Sequence, residues 1–287
     1  PVDNHWLNTL MPLAAEAGVR LDPSELALSP RMQAVGLFYL LLVCLGLAED
    51  IRLAARAVSG RGLRSDGWRR LRERPWPVRD SLRLLWMLAL CYTGMAVVVQ
   101  SLAFHWAALL LVGWTLRRRG LTASRAFQWR RLSMPRALLA GARAYLAVLP
   151  LLWLLMFLSQ TVMQWWGMEP TLQEVAWVIT DQAPWWLRAY LLFLALLLAP
   201  VAEEVLFRGI LLPLLARRLG PPAAVAVVSL LFALLHFHLT SFLPLFAIGA
   251  GFAVAYLATG SLRVPIVMHV LFNTVNLLML LFLRNGA

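Results

Sequence analysis

The stretch Leu191-Leu192-Phe193-Leu194-Ala195-Leu196-Leu197-Leu198-Ala199-Pro200-Val201-Ala202-Glu203-Glu204-Val205-Leu206-Phe207-Arg208 decides the fold of this chain. An unbroken apolar run leads straight into two adjacent glutamates. A carboxylate at membrane depth costs roughly 2.5–3.5 kcal/mol on insertion scales, so a pair of them there implies a use. From Ser81 to the C-terminal end the other acidic residues are Glu169, Glu174 and Asp181, which share one polar connection. Glu203 and Glu204 stand alone inside apolar sequence.

Composition agrees with a bilayer as solvent. The 287 residues are 61% hydrophobic and 14% charged, against about 45–50% apolar for a soluble domain. Repeated apolar runs of spanning length predict an all-α polytopic membrane protein. Net charge is +12, and all 26 basic residues are arginine. They cluster in loops between apolar runs, which assigns them to orientation in the membrane rather than to nucleic acid. The lack of lysine suggests a GC-rich prokaryotic genome, and hence a prokaryotic plasma (inner) membrane. Cys44 and Cys91 both fall in apolar segments, so neither a disulfide framework nor a thiolate metal site is expected. The start at Pro1 reads as processed or trimmed, and residues 1–30 lack a signal-peptide pattern.

Three regions are expected. Residues 1–33 form an arm or an interfacial helix built on Trp6, Leu7, Leu10 and Met11. Residues 34–143 hold N-terminal transmembrane helices with Arg-rich cytoplasmic loops, and 144–287 form the catalytic transmembrane core. The first span is Ala34–Ala48, followed by a basic loop from Arg52 to Arg83. Leu84–Leu116 would be about 50 Å long as one helix, too long for a hydrocarbon core of about 30 Å. Both flanking loops are basic, so two crossings are predicted, turning near Gln100-Ser101. A span over Ala144–Met163, kinked at Pro150, precedes an external connection with Trp165, Trp166, Trp185 and Trp186 as interfacial anchors. The glutamate helix then runs inward from about Trp186 to Ala216. Ala223–Leu239 runs outward. Phe242–Thr259 runs inward, with Ala247, Gly251 and Ala255 spaced for close packing. Val264–Leu283 runs outward. The total is about eight spans enclosing an intramembrane active-site cavity, with both termini outside.

Glu204 and Arg208 are four apart in the favourable order for a helical ion pair. Glu203 is turned about 100° away, which leaves it for chemistry. Glu203 precedes the Gly220-Pro221-Pro222 turn by about as many residues as His236 follows it, so antiparallel helices would put both at one depth. His269, Asn273 and Asn276 share one helical face. Glu203 with His236 could hold a water and take its proton, while His269 and Asn273 donate to an oxyanion. Glu203, His236 and His269 could instead bind zinc. His105, Ser229 and His238 are assigned to packing or peripheral roles.

Glu203-Glu204-x-x-x-Arg208, Phe232-x-x-x-His236 and His269-x-x-x-Asn273, in that order on successive helices, resemble the CPBP family. That family includes type II CAAX prenyl endopeptidases and bacterial proteins of bacteriocin processing and immunity. The resemblance spans about Ala199 to Asn276. It implies an intramembrane endopeptidase of the glutamate type, with Glu203 and His236 activating water and His269 and Asn273 forming the oxyanion site. Glu204, Arg208 and Phe232 would be structural support. No cofactor is favoured, with zinc as the alternative. The substrate would be a membrane protein or a lipidated or hydrophobic peptide, met in the lipid bilayer. Two other functions fit the buried charges: a transporter, or a non-catalytic membrane immunity or scaffold protein.

Overall fold

The structure, a computed structural model, describes residues 30–59, 78–94, 97–129, 131–168 and 184–284. The expected N-terminal arm, the Arg61–Arg74 part of the first basic loop and the acidic connection around Glu174 lie outside the described residues. All regular structure among the described residues is helical. The helices are α1 (Pro30–Val58), α2 (Val78–Gly94), α3 (Val97–Arg118), the short α4 (Ala123–Phe127) and α5 (Met134–Trp165). They continue with α6 (Trp185–Leu219), α7 (Pro221–Leu234), α8 (Phe242–Thr259) and α9 (Arg263–Arg284). Four helical stretches are long and apolar enough to cross a membrane: Gln33–Val58, Met134–Trp165, Trp185–Leu219 and Phe242–Thr259. The chain falls into two units, Pro1–Leu41 with Leu277–Ala287, and Leu42–Asn276. Every candidate site residue belongs to the second unit.

Several element ends differ from the sequence expectation, each for a local reason. Gln100 and Ser101, the expected turn of the long apolar run, lie inside α3, and residues 95–96 lie outside the described residues. Helix α5 begins at Met134, ten residues before the expected span, with Ser133 at its cap and a proline in the first turn. Arginine is a good helix former, so Arg136 and Arg143 extend the helix rather than ending it. Arg52 and Arg56 extend α1 in the same way. Helix α7 stops at Leu234, so His236 sits in the following turn and not on the helix.

Pro150 lies inside α5. It has no N–H to offer the carbonyl of Leu146, four residues back. Gly46 of α1 packs against that carbonyl and the Pro150 ring, where an added Cβ would collide with both. Gly251 of α8 plays a similar part: its absent side chain leaves room for Val148 of α5 and Met268 of α9.

Two apolar cores meet at the glutamate helix. Leu84, Leu88, Ala108, Val112 and Leu116 of α2 and α3 pack with Phe127 against Val205, Ile210 and Leu212 of α6. Tyr145, Leu149 and Leu152 of α5 pack with Ile248, Phe252 and Met268 of α8 and α9. Phe207 touches both cores. Charged groups at this junction are screened from lipid by helices on several sides.

Candidate active site

The glutamate helix is not a regular α-helix. It widens into π-turns at Leu194–Leu198 and Val205–Leu211, and the two glutamates end the α-helical segment between them. The first widening has a chemical cause. The Ala199 N–H bonds to the Leu194 carbonyl, and Pro200 has no N–H. The Ala195 carbonyl therefore lacks the donors that residues 199 and 200 would supply. Asn273 of α9 takes it, donating from Nδ2 at 2.7 Å. An amide nitrogen carries two hydrogens, so one remains for another acceptor. Single-turn π-bulges are frequent at functional sites.

Glu204 faces inward and is fully buried, as is Arg208. Arg208 Nη1 donates to Glu204 Oε1 at 2.8 Å, and its Nη2 donates to the Gly249 carbonyl at 2.8 Å. The guanidinium lies 4.8 Å from the Phe232 ring centre and 5.0 Å from that of Phe252. These faces supply cation–π stabilisation where water is absent. Glu204 Oε1 accepts a second bond, from His269 Nδ1 at 3.0 Å. The His269 ring stacks on Phe252, with centroids 4.8 Å apart.

That bond sets the state of His269. A buried carboxylate paired with arginine only accepts, so Nδ1 donates and Nε2 is the nitrogen left for other partners. Nε2 points at Glu203 Oε2, 3.9 Å away. This gap is too long for a hydrogen bond. His236 is fixed by the same logic. Its Nδ1 donates to the Phe232 carbonyl at 2.7 Å, which leaves Nε2 as an acceptor. Its ring packs on Phe232, with centroids 4.6 Å apart.

Glu203 is the less buried of the two carboxylates. Its side chain is 19% exposed, against 0% for Glu204. Its Oε2 is buried and has no hydrogen-bond partner. The arrangement is one buried, unpartnered carboxylate oxygen near the second imidazole nitrogen of His269, next to the Glu204–Arg208 pair. Such groups can orient a nucleophile and accept its proton.

Residues 184–275 match the Type II CAAX prenyl endopeptidase Rce1-like family. The resemblance read from the motifs is borne out over this stretch, about a third of the chain, and all seven motif residues lie inside it. No curated protein and no solved structure matches the chain. An Rce1-like match supports a hydrolase, and a protease, at the level of the family. Together with the long apolar helices it fits an integral membrane protein.

Other residues sort as follows. Asn276, on the shared face of α9 by spacing, is exposed and lies just beyond the matched stretch. Ser229 bonds back to the Val225 carbonyl in its own helix. His238 pairs with Ser241. His105 departs from expectation: its Nε2 lies 3.4 Å from Glu203 Oε1. The sequence carried a signal for this. His105, Ala108, Val112 and Leu116 form one stripe of α3 at helical spacing, and the last three are buried against α6. Among the described residues no three His, Cys, Asp or Glu side chains come together at metal-holding distances. Glu203, His236 and His269, the set named for zinc, do not form such a group here.

Proposed function

We propose that this protein is an intramembrane endopeptidase that hydrolyses a peptide bond in a membrane-associated protein or in a lipidated or hydrophobic peptide. The observation that carries it is the buried, unpartnered Glu203 oxygen 3.9 Å from His269 Nε2, inside apolar helices and inside the Rce1-like stretch. Glu203 and His236 position a water and take its proton. The tetrahedral oxyanion is met by His269 and by the second hydrogen of Asn273 Nδ2. For His269 to donate there, its Nε2 must carry a proton of its own before the water attacks; the proton that Glu203 takes from the water passes on to the leaving amine nitrogen as the C–N bond breaks. Glu204, Arg208 and Phe232 hold these groups in place. The helices make about eight crossings around the site, in a prokaryotic plasma membrane, with the Arg-rich loops in the cytoplasm.

The test uses the purified full chain in detergent and an internally quenched peptide carrying a prenylated CAAX cysteine. Wild type is expected to cut it, Glu203→Gln is expected to be inactive, and a chelator is expected to leave turnover unchanged. Wild-type turnover by Glu203→Gln would sink the proposal. Loss of turnover on chelation, restored by zinc, would replace the water-activating base with a metal centre.

A further inference from the structure

The Rce1-like match begins at residue 184 and so contains no residue of α3. Yet α3 packs along the glutamate helix, beside both Leu194–Leu198 and Ala199–Glu204. Trp106 braces the contact, stacking on Phe193 with centroids 6.2 Å apart and donating to the Tyr190 hydroxyl at 3.2 Å. The neighbouring His105 sets its ring against the Glu203 carboxylate, with Nε2 at 3.4 Å from Oε1.

We infer that His105 is a positioning residue for Glu203: it holds Oε1, which keeps the unpartnered Oε2 turned toward His269. The inference rests on the endopeptidase reading of Glu203. An ionised carboxylate has no hydrogen to give, so His105 Nε2 is the donor. His105 Nδ1 is buried and has no partner. Leaving a buried polar atom unmade costs about 1–3 kcal/mol, and an aliphatic side chain at this place would avoid that cost. Packing alone does not account for histidine on an otherwise apolar stripe. The 3.4 Å approach to Glu203 does. The two carboxylate oxygens then differ: Oε1 is restrained by α3, and Oε2, without a partner, faces His269 Nε2 at 3.9 Å. A carboxylate free to rotate would exchange these oxygens and lose the alignment that general-base transfer needs.

The experiment compares full-length wild type, His105→Leu, His105→Gln, Glu203→Gln and the double variant His105→Leu/Glu203→Gln, in detergent, on the same quenched prenylated peptide. Leucine fills the space without a donor, and glutamine returns a donor near the position of Nε2. His105→Leu should lower kcat about 10–100-fold, as loss of an orienting partner commonly does, with KM unchanged. His105→Gln should recover most of the rate. Thermal unfolding of the same set should be non-additive, because the contact is broken only once. Wild-type kcat in His105→Leu, while Glu203→Gln is inactive, overturns the role of His105 and leaves the endopeptidase reading intact. Wild-type turnover by Glu203→Gln overturns that reading, and this inference with it. Additive unfolding shifts refute the contact whatever the turnover.

Discussion

At the scale of single residues, the two glutamates divide labour through their partners. Glu204 is matched by Arg208 and His269, and no water reaches it. Removing one member of a buried pair leaves an uncompensated charge and costs about 3–5 kcal/mol. Arg208→Ala should therefore lower the unfolding temperature and the folded yield in detergent, whereas Glu203→Gln should fold like wild type. The reverse pattern would mean that Glu203 is the structural member. Arg208→Lys should not rescue, because one ammonium cannot reproduce the guanidinium fork that serves both Glu204 and the Gly249 carbonyl. Much of this was legible in the sequence. The four-residue spacing of Glu204 and Arg208, and the 100° offset of Glu203, follow from helix geometry alone. His105 was legible only as a member of the stripe it shares with Ala108, Val112 and Leu116, since a lone histidine in an apolar run looks the same whether it packs or points at a carboxylate 98 positions along the chain. Asn273 was half legible: its inward face could be read, but its bond to Ala195 depends on a local widening that spacing does not encode.

At the scale of elements, hydrophobic length located the helices and local backbone chemistry fixed their ends. Phe242–Thr259 was read to the residue because Gly260, at φ +66°, caps it in the left-handed region that glycine favours. The end of α7 was missed because apolar sequence continues past Leu234, while the chain turns at Phe237 with φ +48°. The π-turns escaped for a related reason, since wide and regular turns use the same apolar residues. Packing between elements makes a sharper prediction. At Gly141 of α5 an added Cβ would lie 2.6 Å from Val267 Cγ1, 2.8 Å from its Cβ and 3.1 Å from the Val264 carbonyl of α9. Backbone and branched side chain cannot both yield, and overpacking of this kind costs about 1–3 kcal/mol. Gly141→Ala should destabilise the protein in thermal unfolding. Gly113→Ala, on a helix where the new methyl meets nothing within 4 Å, should be neutral or gain up to about 1 kcal/mol. Equal stability of the two variants would show that α5 and α9 separate more readily than this contact allows.

At the scale of the whole molecule, the distribution of exposed side chains needs a lipid solvent. Leu138, Leu151, Trp153, Leu154 and Phe157 of α5 all face outward. A soluble monomer rarely exposes contiguous apolar patches of more than a few hundred Å². Trp165 and Trp166 close the same helix and Trp185 and Trp186 open the next, all four exposed, which suits the headgroup boundary of a bilayer. Arg217 and Arg218 stand at the opposite end of α6. If the tryptophan end is external and the arginine end internal, the direction of the remaining chain is constrained. Two crossings by the run Leu84–Leu116 would return it to the side it left, as the positive-inside rule asks of two basic flanks. The loops around Arg61–Arg79 and Arg117–Arg136 should consequently lie on one side, the cytoplasm. Single cysteines placed in each loop, in a chain with Cys44 and Cys91 replaced, should be protected together from a membrane-impermeant thiol reagent in intact cells. Both should become labelled on permeabilisation. Labelling of one loop and protection of the other in intact cells would mean that the run crosses once. In that case the helix bearing His105 would approach Glu203 by a different path.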